Sequence, residues 1–316
     1  KEIKGFKVQT LASDTVASAV AGGSWASGGT MNTARNAVAG AGTQDAAWVA
    51  GGAPPNPASK NEMEIYNGTS WTEVNNLNTA RRNSGSSGTT TAGLLVAGQT
   101  APSPPIANVE SWDGTSWTEI TDVNTARNGL KGGGTQTASI FGGGYTTTEV
   151  ANAEVWNGST WTEVNDLNTA RAYTGGSGTS TSNILSAGYK VPAPAQTTVE
   201  SWNGSSWTEV TEVNTGRSEL SAAGVSNTSQ LIFSGNEPPN SVKTESWDGT
   251  SWTEVADMAS ARRATAGAGT QTSALVSAGY GTADSALTEE FTAPSTFTKI
   301  NLGQVYYNSG SNAFKV

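Results

Sequence analysis

This chain contains no cysteine and no histidine. Their absence removes disulfide staples, thiol chemistry, thiolate or imidazole metal sites, and every mechanism that depends on a histidine base. Charge is sparse as well: 17 Lys and Arg face 26 Asp and Glu among 316 residues, a net charge of −9. That balance argues against nucleic acid and anionic membranes, which select basic patches. No apolar run approaches the ~20 residues needed to span a bilayer, so no membrane insertion is expected. The start, KEIKGFKVQT, has neither a Met nor the n-region and h-region of a signal peptide, and reads as a mature or excised segment. The missing cysteine leaves the compartment open, because a chain of this length can bury a sufficient core without staples.

What is present is small and polar. Gly, Ser, Thr, Asn and Ala dominate, a composition close to that of a disordered linker until the 11 tryptophans are counted. Regularly placed aromatics restore the burial that disorder lacks. Nine of these tryptophans stand in short near-copies of one word: YNGTSW (66–71), WDGTSW (112–117), WNGSTW (156–161), WNGSSW (202–207) and WDGTSW (247–252).

The second aromatic of each word marks a repeat. Trp25, Trp71, Trp117, Trp161, Trp207, Trp252 and Phe297 are separated by 44 to 46 residues. Between markers the same order returns: W-T-E-V/I, then N-T-A-R, a small-residue stretch, an apolar run ending in Gly, a variable segment, and an aromatic before the next turn. Each unit reads as four short strands, and the Asn-Gly or Asp-Gly between the last two is a hairpin signal of the type I′ kind. No window sustains a 3.6-residue apolar period, so helices should be nearly absent. Four antiparallel strands per unit, repeated six times, predict an all-β fold: a six-bladed β-propeller, closed so that no long sheet edge is left bare.

This order resembles the kelch repeat. The likeness rests on the Gly-ended second strands (AGG 50–52, GGGY 142–145, AGY 187–189, AGY 278–280) and on the aromatic pair before each new unit. The departures are a shorter turn and a double glycine often reduced to one. More narrowly, SWNGSSWTEV, LNTAR, GTQTA and the tail GQVYYNSGSNAFKV resemble repeat proteins of tailed bacteriophages, especially marine ones, described as tail-fibre-like or virion structural proteins. The resemblance implies a virion or extracellular, cell-surface location, with other virion or appendage proteins as partners.

The expected organisation is an N-terminal closing or linker segment (1–24), a six-repeat propeller (25–297) and a C-terminal hairpin or linker segment (298–316). Seven markers for six units make the ends redundant, so the strand around Trp25 is expected to join the last unit's sheet. The alternative is a seventh blade assembled from both termini. Gly5-Phe6-Lys7-Val8 and Ala313-Phe314-Lys315-Val316 echo each other, which suits one bead of a longer chain in which short hairpins separate modules.

Catalytic constellations are weak. Glu73, Glu119, Glu163, Glu209 and Glu254 recur in W-T-E, Glu110 and Glu200 in V-E-S-W, and Glu245 in its variant T-E-S-W. A glycosidase needs two carboxylates in unlike environments, whereas these are copied into every unit and are expected around the rim as structural or solvated groups. Arg35, Arg81, Arg127, Arg171, Arg217 and Arg262 also recur once per unit. Three arginines serve sialidases on a six-bladed propeller, but a tyrosine nucleophile beside a carboxylate has no clear place here. Pairing with Glu or with carbonyls between blades is the expected role of these arginines. The copper chemistry of galactose oxidase, another kelch-type propeller, is excluded because it needs Cys and His. The N-G-T/S sequons are read as by-products of the hairpin, and Asp122, Asp166 and Asp257 lack the dense spacing of calcium loops. No cofactor and no metal are expected.

Strand alternation assigns the loops to two faces. One face, built from G-T-Q-T-A-like loops and the D/N-G turns, is nearly identical in every unit. The other carries segments that differ in every copy: 53–61, 99–108, 145–152, 189–197, 236–243 and 280–286. Loops on a rigid scaffold are where recognition resides, so Asn56, Lys60, Tyr145, Tyr189, Lys190, Glu237, Asn240 and Tyr280 are the candidate ligand-binding residues. Trp71, Trp112, Trp117, Trp156, Trp161, Trp202, Trp207, Trp247 and Trp252 are expected to be buried packing groups. The expectation is a non-enzymatic recognition module that contacts a host-surface glycan or protein. Its alternatives are a ligand-free structural spacer or decoration protein and, less well supported, a sialidase-like carbohydrate-active enzyme.

Overall fold

The computed structural model describes residues 22–54, 58–101, 104–294, 306–308 and 313–315. It contains six four-stranded antiparallel sheets arranged as a β-propeller, with no helix among the described residues. Blade 1 comprises Ala39–Gly42, Ala47–Ala50, Met63–Tyr66 and Trp71–Val74. Blade 2 comprises Gly85–Gly88, Gly93–Gln99, Pro105–Trp112 and Trp117–Ile120, and blade 3 Lys131–Gly134, Ser139–Gly142, Ala153–Trp156 and Trp161–Val164. Blade 4 follows with Gly175–Gly178, Asn183–Ser186, Val199–Trp202 and Trp207–Val210, and blade 5 with Ser221–Ser226, Ser229–Phe233, Thr244–Trp247 and Trp252–Val255. Blade 6 takes Ala266–Gly269, Ser273–Ser277 and Thr288–Thr292 from the end of the repeats, and its fourth strand, Ser24–Ser27, from their beginning.

Composition follows from position in the blade. Inner strands such as AGAG, GSSG and GGSG meet their neighbours around the axis, where only small side chains fit. A Cβ on Gly133 would stand 2.7 Å from the carbonyl oxygen of Gly178 on the inner strand of the next blade. Second strands are covered on both sides, so they read as unbroken apolar runs such as Trp48-Val49 and Leu94-Leu95-Val96. Fourth strands bury their leading Trp and expose the Thr-Glu that follows. The apolar clusters lie between blades rather than within them. One joins Trp48, Ala50 and Met63 of blade 1 to Leu95, Trp112 and Trp117 of blade 2.

Three features close the ring. Ser24–Ser27 pairs antiparallel with Thr288–Thr292, placing Trp25 opposite Phe291. Near the axis the backbone amides form a complete cycle: Ala37 N donates to Ala264 O, Asn83 to Ala37, Gly129 to Asn83, Tyr173 to Gly129, Glu219 to Tyr173 and Ala264 to Glu219, all at 2.8–2.9 Å. A second cycle links each second strand to the next blade, from Gly52 N to Arg81 O through Gly98, Gly144, Gly188 and Gly235 to Gly279 N on Arg35 O. Here the single retained glycine of the kelch-like pair is explained. It is the second of the two, with φ of +106° to +122°, and at Gly98 a Cβ would meet Ser84 Oγ at 2.3 Å.

A seventh blade is not formed among the described residues. Tyr306–Asn308 and Ala313–Lys315 make a separate two-stranded antiparallel hairpin. Phe297 and the Gly5–Val8 echo lie outside the described residues.

Candidate binding site on the variable-loop face

The frame accounts first for the repeated arginines. Arg81 sits in the crossing from blade 1 to blade 2. Its amide donates to Lys60 O and its carbonyl accepts from Gly52 N, both in blade 1, while its guanidinium reaches Glu110 Oε1 at 2.5 Å and Asn108 O at 2.7 Å in blade 2. Arg35–Glu64, Arg127–Glu154, Arg171–Glu200 and Arg262–Glu289 repeat this staple, and Arg217–Glu245 repeats the ion pair at 3.2 Å without a hydrogen bond. Burial pushes the Arg81 guanidinium down from its usual value, and Glu110 beside it pushes it back up. The V-E-S-W glutamates therefore do not lie on the rim as expected. Glu110, Glu200 and Glu245 are buried on third strands because each must meet its arginine and cap the N-T backbone amides, as Glu110 does for Asn78 and Thr79. The W-T-E glutamates are solvent-facing.

The turn between third and fourth strands also departs from expectation. Trp112 pairs directly with Trp117, so four residues make the loop, and only Gly114 of the Asp-Gly pair has positive φ. A type I′ turn is replaced by side-chain capping. Asp113 Oδ1 accepts from the amides of Thr115 and Ser116, and Asn67, Asn157 and Asn203 do the same in their blades. The indoles on either side are occupied except that of Trp207, whose Nε1 is buried without a hydrogen bond. Trp112, Trp156, Trp202 and Trp247 donate to Thr90, Gln136, Ser180 and Asn227 carbonyls, and Trp161 and Trp252 to Thr121 and Thr211 carbonyls. Ring pairs such as Trp112–Trp117 stand 5.4 Å apart. Gln136 and Gln271, from the G-T-Q-T loops, bind the third strand of the preceding blade, and Gln44 reaches from blade 1 to Phe291 O in blade 6. The constant face is consumed by holding blades together.

The opposite face opens. Two adjoining hollows of about 450 and 390 Å³ surround the axis, sharing Asn36, Arg82, Glu219 and Ala264. The first adds Arg263 and Tyr280, and the second Asn83, Tyr145, Tyr173 and Tyr189. Together they form a funnel whose floor is the amide cycle described above. Tyr145, Tyr189 and Tyr280 enter from loops between second and third strands, each held by a bridge to the residue after a repeat arginine: Asn128, Ala172 and Arg263. Tyr173 stands edge-on to Tyr189 at 6.3 Å, and its hydroxyl donates to Asn128 Oδ1 at 2.6 Å. Arg263 lies 3.6 Å from Glu219 and 5.6 Å above the Tyr280 ring. Burial holds the Glu219 carboxyl above its usual range, with Arg263 acting against it. Among the described residues Arg82 has no carboxylate partner, and its Nε is buried without a hydrogen bond.

No protein-family model and no curated protein matches this chain. At the coarser level, the six Gly-ended second strands and paired aromatics fit a kelch-like repeat.

Of the eight loop candidates, the structure gathers three, Tyr145, Tyr189 and Tyr280, into the funnel. Lys60 is turned to Glu62, and Glu237 to Lys243 and Ser241. Asn240 donates to Tyr280 and Gly281 carbonyls, locking one loop to the next. Lys190 is half-buried outside both hollows. Asn56 lies outside the described residues. Sequence reasoning missed Asn36, Arg82, Asn83, Tyr173, Glu219 and Arg263. Their signal was available: they are the first and second residues after each repeat arginine, where R-N-A, R-R-N, R-N-G, R-A-Y, R-S-E and R-R-A differ although N-T-A-R recurs. Among the described residues no three carboxylates gather as a metal set.

Proposed function

We propose that this propeller is a non-enzymatic recognition module of a virion tail fibre or surface appendage, gripping a host-surface glycan in its axial funnel. The observation that carries this reading is the contrast between the two faces. Bonds that hold blades together use up the repeated side chains, while the funnel is walled by residues that change from blade to blade. Tyr145, Tyr189 and Tyr280 offer apolar ring faces for a sugar, and Arg82, Asn36 and Asn83 offer donors for its hydroxyls. The funnel lining includes one carboxylate, Glu219, which is ion-paired, where glycoside hydrolysis uses two facing each other. The phage-type repeat wording supports a virion setting, with neighbouring appendage proteins as partners.

A glycan array probed with wild type, Arg82→Ala and Tyr189→Ala tests the reading. Wild type should bind a defined set of glycans, with at least a tenfold loss in each variant and unchanged binding for Asp113→Asn on the opposite face. If wild type binds no glycan and no host-surface fraction, the domain is a structural spacer instead. Release of product from a fluorogenic glycoside would overturn the non-enzymatic assignment.

A further inference from the structure

Directly beneath the funnel floor the axial channel is lined by one lysine, Lys131, with no counter-charge among the described residues. Lys131 opens the inner strand of blade 3, where the other blades place Ala39, Gly85, Gly175, Ser221 and Ala266. Every other residue of that inner ring is small, so Lys131 is the exception in a channel of glycine, alanine and serine. It borders a cavity of about 20 Å³ under the amide cycle and another of about 50 Å³ below it, the second lined from all six blades.

Among the described residues no carboxylate answers this charge. The glutamates of the six staples are committed to their arginines. Glu219 and Tyr173 are the titratable groups that share the upper cavity, and they turn to Arg263 and Asn128. Ser86, Ser221 and Thr265 line the lower cavity, and their hydroxyls are engaged with Gly40, with Thr265 and with Ser234 respectively. Thr174 Oγ1 is fully buried and has no partner among the described residues, so an unused donor and the Lys131 side chain line the same cavity. Desolvation pulls the Lys131 amine down to about 8.

An unpaired cation in such a setting either gives up its proton or recruits a negative charge. The volume decides what kind. One water needs roughly 10–15 Å³ of such space, so the lower cavity has room for a few waters or a small hydrated ion. One unmatched positive charge calls for one negative charge. We propose that the axial channel is a binding site for a halide-sized monovalent anion, held by Lys131 Nζ and Thr174 Oγ1. The site is separate from the funnel, and the proposal stands whether or not the funnel binds glycan.

Bromide-soaked crystals of the whole chain test it, together with melting curves in chloride against gluconate at equal ionic strength. The expected results are an anomalous bromide peak on the axis within hydrogen-bonding reach of Lys131 Nζ, and a melting temperature that climbs with chloride but not with the larger gluconate. Lys131→Gln should lose both effects. The proposal falls if the wild type shows no axial peak, or if the peak survives in Lys131→Gln. It also falls if bromide binds at crystal concentration only and chloride leaves the melting temperature unmoved. NMR titration of Nζ adds a reading on the wild type that needs no variant. Chloride should raise its pKa, while a value near the ordinary ~10.4 of lysine, indifferent to chloride, would mean that channel water alone solvates the charge.

Discussion

Trp25 lies directly across the sheet from Phe291, their rings 5.3 Å apart, although 266 positions separate them in the chain (291 − 25). Trp25 also meets Phe233 of blade 5 at 5.2 Å, so Ser24–Ser27 is the mortar between the last two blades. A ring with a covalent gap is held shut by this pairing. Trp25→Ala should cost about 2–3 kcal/mol, below the 3–5 typical of a fully buried tryptophan because the ring is only partly covered. At about 2–4 °C per kcal/mol, calorimetry would resolve the loss. Hydrogen exchange should localise it to Thr288–Thr292, and uniform loss across all blades would contradict a local closure.

The Arg–Glu staples invite a double-mutant cycle. Arg81→Leu strands the Glu110 carboxylate in a fully buried site and should cost about 3–5 kcal/mol. Replacing both with leucine removes the stranded charge, and much of the loss should return. Denaturant melts of the two single variants and the double variant measure the coupling. Additive losses would show that the pair acts only through packing.

Acid should act on the turns of blades 2 and 5. The hydroxyl of Thr115 and the amides of Ser116 and Thr115 hold the Asp113 carboxyl well below the usual carboxylate range. The Ser251 amide and Thr250 do the same for Asp248. A depressed folded value means that this contribution is complete above the unfolded pKa of about 3.9 and fades as pH falls through the folded one. Asp113→Asn with Asp248→Asn should match wild type near neutrality, since asparagine makes the same bonds elsewhere in this protein. The variant should melt less pH-dependently from about pH 4 downward. Parallel acid melting curves would refute the turn assignment.

Ala264 sits in the amide cycle with φ of 53°, and Gly129 occupies the equivalent place in blade 3 with φ of 66°. Left-handed backbone costs a residue with a Cβ roughly 1–2 kcal/mol, while glycine's extra freedom when unfolded costs about 0.4–1. The first term is the larger, so Ala264→Gly should raise the melting temperature slightly. A fall would show that the alanine methyl packs usefully at the funnel floor.

Much of this architecture is determined by the sequence alone. The spacing of Trp71, Trp117, Trp161, Trp207 and Trp252 sets the blade count, because each word must supply one cross-strand aromatic pair per sheet. Apolar second strands and glycine-rich first strands follow from which positions are buried on both sides and which crowd the axis. The division into a constant and a variable face follows from strand alternation. Tertiary structure alone decided which side chains each face brings together. Glu110 looks like a rim residue until Arg81 arrives from the preceding crossing, and Arg82, Tyr173 and Glu219 look like the start of a strand. Their partners come from different blades, so no local pattern joins them. Closure of the ring converts six unrelated tripeptides into one funnel and leaves Lys131 alone in the channel below it.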